Sequence, residues 1–228
     1  ILNTGTFNDT VGTFNMSSGS LDGTGTITAA SYGLTGGTVN AKLGAGAITV
    51  SGGTTTLASV GRLTGVPTLT VNSGQLTLGG AETVGAYTQT GGILSGAFTL
   101  TGSSYALQGG TVNSNLGAGT TTVSTGTTTL NGTSGSATVN INSGTLALGA
   151  NDRLDNAATV TVAGGALNAG AFNDTVGTFN MSSGSLNGSG TITAGTYGLS
   201  GGTVNANLGA GTANVTTGTT TLNGTSGA

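Results

Sequence analysis

A glycine returns every 16 to 21 residues along this chain of 228, each time inside the same short frame. The markers are Gly19, Gly37, Gly53, Gly74, Gly92, Gly110, Gly126, Gly144, Gly165, Gly184, Gly202 and Gly218, spaced 18, 16, 21, 18, 18, 16, 18, 21, 19, 18 and 16 apart. Self-similarity at a period of this length belongs to solenoids, in which one repeat forms one coil and buries its apolar face only against its neighbours. The feature therefore fixes an architecture before any composition is considered. It also directs the search for function toward surfaces.

Positions counted from the marker repeat in kind. Three residues before it stand Met16, Leu34, Val50, Val71, Leu107, Ile141, Val162 and Met181, with Gln89 as a polar exception. Five before it stand Phe14, Tyr32, Ile48, Leu69, Tyr87, Tyr105, Phe179 and Tyr197, and two after it Leu21, Val39, Leu76, Leu146 and Leu186. Alternating apolar positions on both sides of a Ser-Gly or Gly-Gly pair describe two short strands meeting at a bend. Glycine suits that bend because it accepts positive φ and close backbone approach. A third apolar position follows at Ile27, Leu43, Val84, Phe98, Leu116, Leu154, Ile192 or Leu208. Three strands per turn with corners of variable length predict an all-β fold, a right-handed parallel β-helix of about 12 coils of 16–21 residues, running as one continuous solenoid over residues 1–228. The same phase places Val50, Val71, Leu76, Leu107 and Ile141 in the interior, and Gln89 with them. The single proline, Pro67, falls in a long corner.

Four kinds of coil follow one another. The first reads FNMSSGSL (14–21 and 179–186) or YTQTGGIL (87–94), and the second YGLTGGTVN, YALQGGTVN or YGLSGGTVN. The third ends in TTTL at 54–57, 127–130 and 219–222, and the fourth reads LTVNSGQLTLG, VNINSGTLALG or VTVAGGALNAG. Residues 2–57 match 167–222 closely at an offset of 165, which points to duplication within a longer repetitive chain.

Composition narrows the function classes. Only 4 % of residues are charged, against roughly 25 % in an average soluble domain. Net charge is −3 with three basic residues, so no electrostatic footprint for nucleic acid or an anionic membrane exists. No apolar run approaches the roughly 18 residues of a membrane span. Disorder is disfavoured because 35 % of the chain is hydrophobic and recurs in register. Absence of cysteine is compatible with export. No signal peptide or terminal barrel is recognisable, so the sequence reads as an excised or mature segment.

The turns NDTVG (8–12 and 173–177), AETVG (81–85) and NDRLD (151–155) precede or join these coils. The stretch LGANDRLDNAATVTVAGGALNAGAFNDTVG (148–177) resembles the autotransporter-associated β-strand repeat of large bacterial surface proteins, and the resemblance spans essentially the whole chain. It implies a right-handed β-helix on a cell-surface or secreted adhesin-like protein. That family often carries a C-terminal translocator barrel, and nothing here corresponds to one.

Candidate chemistry is sparse. Without histidine or cysteine, His-based acid–base work, Ser-His-Asp triads and thiol nucleophiles are excluded. Asp152, Arg153 and Asp155 form the only compact ionic group, read as a corner in which Asn151 and Asp152 bond backbone amides and Arg153 lies along neighbouring carboxylates. Asp9 and Asp174 occupy equivalent turns, where capping explains them better than calcium. The aromatic pairs Phe14–Tyr32, Tyr87–Tyr105 and Phe179–Tyr197 are in core phase and are expected to stack inside rather than form a sugar-binding strip. Threonines in TTTVSTGTTTL (120–130) and VTTGTTTL (215–222) raise ice binding, but TTTL coils recur four or five coils apart and the face after the marker is mixed. The expectation is a non-catalytic structural solenoid without cofactor or metal, extracellular or on a bacterial surface. It would associate end to end with itself or with neighbouring solenoids; a carbohydrate- or ice-binding module using the Thr/Ser/Asn face is the alternative. Of the three tryptic sites, Lys42, Arg62 and Arg153, the long corner is expected to make Arg62 the most exposed.

Overall fold

The computed structural model describes residues 1–227. Among them the chain forms 24 strands and no helix. It is a parallel β-solenoid of about 12 turns. Register follows the glycine spacing residue for residue. Phe14 pairs with Tyr32, Tyr32 with Ile48, Ile48 with Leu69 and Leu69 with Tyr87, offsets of 18, 16, 21 and 18. Farther along, Thr121 pairs with Val139, Val139 with Val160, Val160 with Phe179, Phe179 with Tyr197 and Tyr197 with Ala213. Each coil carries three strand segments, as in Thr13–Met16, Ser20–Asp22 and Thr26–Ile27, each pairing with its equivalent one coil on.

Two compact units are present, one of Ile1–Tyr105 with Gly110–Gly117, the other of Ala106–Gly109 with the chain from Ala118 onward. The interior of the first contains Leu21, Leu34, Val50, Val71 and Leu76; that of the second contains Val139, Ile141, Val160, Leu167 and Leu199, all at most 1 % exposed. Leu107 is equally buried. Close packing of like side chains in successive coils at about 4.8 Å leaves little room at the corners. Gly184 shows why glycine is needed there: its φ is +85°, and a Cβ would run into the carbonyl oxygen of Gly165 in the coil before. Eleven of the twelve markers adopt positive φ. In the Ala163–Gly164–Gly165 corner that role passes to Gly164, at +129°.

Gln89 and the tyrosines of the interior find partners inside it, whereas the buried hydroxyls of Thr55 and Thr128 do not. Gln89 is fully buried; its Nε2 donates to the carbonyls of Gly92 (3.2 Å) and Thr111 (3.1 Å), and its Oε1 accepts from the Tyr87 hydroxyl at 2.7 Å. Tyr32, Tyr105 and Tyr197 share a different device. Each hydroxyl accepts from a backbone amide three residues back and donates to a carbonyl five residues back, so the ring braces its own corner from inside. Outside, Asn187, Asn205 and Asn223 form an amide ladder, with Nδ2 to Oδ1 distances of 2.8 and 2.7 Å.

Two interior assignments made from the sequence need correction. Phe98 is 43 % exposed, and Leu100, two residues later, fills the third apolar position instead. Leu100 stands eight residues after its marker, as Ile27 and Ile192 do after theirs, so Phe98, six after it, falls in the corner before the strand, on the outer side. Phe14 and Tyr32 meet with centroids 6.4 Å apart and planes at 60°, a tilted contact rather than a parallel stack. The aromatic residues Tyr32, Tyr87, Tyr105, Phe179 and Tyr197 are all interior, which removes them as a sugar-stacking strip.

Candidate functional site

The third strand row carries the chain's most unusual chemistry. Ile27, Leu43, Leu63, Leu154, Ile192 and Leu208 line it from within, but Glu82 and Asp174 stand in the same row, 2 % and 1 % exposed. Each carboxylate reaches the coil before it. Glu82 Oε1 and Oε2 accept from the backbone amides of Arg62 and Leu63, both at 2.8 Å. Asp174 Oδ2 accepts from those of Arg153 (2.8 Å) and Leu154 (3.1 Å). The arginine of each corner then reaches one coil farther back, Arg62 to the Asn40 carbonyl and Arg153 to the Asn131 carbonyl. Three successive coils are thus clasped at one corner.

Burial raises the Glu82 carboxyl above its ordinary value, opposed by the two amides and by the Arg62 charge. Burial likewise lifts Asp174 to about 6; the Leu154 and Arg153 amides oppose the shift and the neighbouring Asp152 charge adds to it. Raised carboxyls accompany general acids, but these two face backbone in a sealed corner where no substrate reaches them. Their work is to supply acceptors for amides that the irregular corner leaves without strand partners.

The sequence reading recognised Asp174 as a turn cap and missed Glu82. The signal was the acidic residue before TVG in both AETVG and NDTVG, in the phase of an apolar row. Asn151 and Asp155 bond corner amides as expected, Asn151 Oδ1 accepting from Asn173 and Asp155 Oδ1 from Ala157. Asp152 instead adopts a positive φ of +52°. Arg153 lies along carbonyls, those of Asn151 and Asn131, and not along carboxylates, because its guanidinium points back down the stack, away from Asp174. Arg62 is not the open site its long corner suggests: its amide and that of Leu63 are both held by Glu82. Lys42, Arg62 and Arg153 all precede a buried leucine of this row.

Asp9 occupies the place of Asp174 in a coil of identical sequence, yet it is exposed and caps only the adjacent Thr10 amide, at 2.8 Å. Nearby apolar side chains are exposed too: Ile1 96 %, Leu2 51 % and Phe7 78 %. At the other end of the chain Val215 and Leu222 are 65 % and 48 % exposed.

A second surface lies on the outer side of the first strand row. Thr120, Thr138, Thr159, Thr178, Thr196 and Thr212 stack in register on six successive coils. The row sits six residues before the marker glycine, where a search of the TTTL segments after it does not look. The parallel row two residues on is mixed: Thr122, Asn140, Thr161, Asn180, Gly198 and Asn214. In the first unit the threonine row dissolves into Thr13, Ser31, Ala47 and Thr68.

The fold and these surfaces define a β-solenoid repeat protein. No family model, curated protein or solved structure matches the chain. No helix among the described residues is long and apolar enough to cross a membrane.

Proposed function

We propose that this chain is a non-catalytic structural solenoid of a bacterial cell-surface or extracellular protein, serving as stalk, adhesin passenger or matrix component, and that its end faces associate with other solenoids or with further copies of itself. The observation that carries this reading is the stack itself, in each unit an apolar interior wrapped by a Thr/Ser/Asn exterior with few charges. A solenoid coil buries its apolar face only against a neighbouring coil, which favours stacking with further solenoids. Sparse charge and a Thr/Ser/Asn exterior fit a neutral, hydrated wall. Sedimentation velocity over a concentration series, with negative-stain microscopy of the same samples, tests it. Growth into rods or fibres is expected; a monomer at every concentration would reject association.

The six-threonine row supports a second reading, a hydroxyl face that binds carbohydrate or ice. Glycan-array binding or inhibition of ice recrystallisation, lost when Thr159 and Thr178 are changed to Lys, would favour it over the first.

A further inference from the structure

Residues 20–23 and 185–188 form equivalent corners, 165 residues apart, and differ at one position: Ser-Leu-Asp-Gly in the first, Ser-Leu-Asn-Gly in the second. The backbone is the same in both. Gly23 and Gly188 adopt φ of +106° and +115°, and the carbonyls of Asp22 and Asn187 accept from the amides of Thr4 and Ala169, at 2.9 and 2.8 Å. The side chains also bond alike. Asp22 Oδ1 accepts from Asn40 Nδ2 at 2.6 Å, and Asn187 Oδ1 from Asn205 Nδ2 at 2.8 Å. On the other side only the direction changes: Ser20 Oγ donates to Asp22 Oδ2, whereas Ser185 Oγ accepts from Asn187 Nδ2, both at 2.9 Å. A serine hydroxyl can do either. This rung of the ladder therefore takes an amide or a carboxylate without losing a bond. Asn40 first and Ser20 second hold the Asp22 carboxyl below its ordinary value, so the ionised form suits the place.

In an Asn-Gly pair the glycine amide can attack the preceding side chain, because glycine has no Cβ to block the approach. The chain has three such pairs, beginning at Asn131, Asn187 and Asn223. Two of them, Asn131 and Asn223, follow TTTL where the equivalent coil has Ala58, so neither has a carboxylate counterpart. Asn187 has one in Asp22. Its neighbouring nucleophile is also free: the Gly188 amide makes no hydrogen bond among the described residues.

We propose that Asn187 is a modification site, a side chain that deamidates spontaneously to an α-linked aspartate which the amide ladder holds as it holds Asp22. The Gly188 nitrogen attacks Cγ of Asn187, and its proton goes to the departing side-chain nitrogen. The Cγ–Nδ2 bond breaks, ammonia leaves and a five-membered succinimide remains. Water then adds at Cγ, the bond from Cγ to the Gly188 nitrogen breaks, and that nitrogen recovers a proton. The original peptide bond is restored beside a new carboxyl, which ionises. Opening on the other side of the ring would route the backbone through Cγ and lengthen it by one atom. The corner has no slack for that, since a Cβ on Gly188 would already run into the carbonyl oxygen and amide of Gly170. In the product Ser185 turns its hydroxyl to donate, Asn205 keeps its bond, and a wall with few charges gains a negative one.

The test ages the full chain at mildly alkaline pH beside a synthetic peptide of residues 183–191, SGSLNGSGT. Peptide mapping with electron-transfer fragmentation separates α-linked from iso-linked products. Asn187 is expected to convert in the chain, more slowly than in the peptide, with the α-linked form as the main product. An Asn187 that remains an amide after the peptide has converted fully would overturn the proposal, and so would a mainly iso-linked product in the chain. Two variants check the product state separately. Asn187→Asp should melt with the parent. Asn187→Ala, which empties the rung, should melt about 2–4 °C lower, the shift for one lost hydrogen bond in a chain of this length. Equal melting of the two variants would mean that the ladder does not hold the carboxylate, and would overturn the proposal as well.

Discussion

Tyr87 and Gln89 provide a sharp test of how this interior is built, because the chain contains its own control. Where one coil has Tyr87 and Gln89, its sisters have Phe14 and Met16, or Phe179 and Met181, in the same places. The Tyr87 hydroxyl and the Gln89 carbonyl oxygen are 2.7 Å apart inside the core, where both side chains are 0 % exposed. Tyr87→Phe removes the donor and leaves Gln89 Oε1 buried without one. Gln89→Met removes the acceptor and leaves the hydroxyl stranded, and it also withdraws the Nε2 bonds to Gly92 and Thr111. An unsatisfied buried polar group costs about 1–3 kcal/mol, so each single variant should lose stability in that range. Gln89→Met should stand at the upper end. The double variant recreates the Phe/Met pair that packs at Phe179 and Met181, and should return close to the parent. Urea unfolding followed by far-ultraviolet circular dichroism gives the cycle, and amide exchange at Thr90 and Thr111 reads it locally. Additive losses in the double variant would refute the reasoning, since they would mean that shape and not pairing dominates at these positions.

Ile141→Asp places an unpaired charge at a position 0 % exposed and should cost several kcal/mol; a variant that melts like the parent would mean the register is wrong. Thr128→Val should stabilise by about 1 kcal/mol, because the Thr128 hydroxyl is buried without a partner beside Leu146; a lower melting temperature would count against it. Asp174 titrates near 6 in the folded chain, above its ordinary 3.8, so its contribution is complete below about pH 4 and is lost as pH rises through 6. Melting temperature should therefore fall between about pH 4 and 6 with a slope that Asp174→Asn reduces, and an unchanged slope would reject the assignment. Asp22, held low by Asn40 and Ser20, acts in the opposite sense and only near or below its ordinary value of 3.8. Trypsin should cut after Arg62 slowly in the parent and faster in Glu82→Ala, whose corner loses two amide bonds; equal rates on limited proteolysis would show that the carboxylate does not hold the corner closed.

The spacing of twelve glycines was enough to set the register, because each corner needs a residue without Cβ and successive corners must stack. Offsets between paired strands therefore repeat the offsets between markers. Interior positions followed from phase in the same way, Gln89 included. The third row was the least legible: Phe98 drew the eye by its size although the regular offset of eight residues falls on Leu100, and the third-row carboxylates were hidden behind their charge, which argues for surface in any linear reading. The threonine row was written in the sequence but only as a register statement, six residues before each marker on six coils. What no linear reading can decide is environment. The stretch FNDTVGTFNMSSGSL occurs twice, at 7–21 and 172–186. In the second, Asp174 is 1 % exposed and holds two amides of the preceding coil; in the first, Asp9 lies open to water. The residues are the same, and the difference is the coil stacked above them. In a solenoid, burial is conferred by the neighbour, so the chain dictates which side chains point inward and only the stack decides whether they are covered.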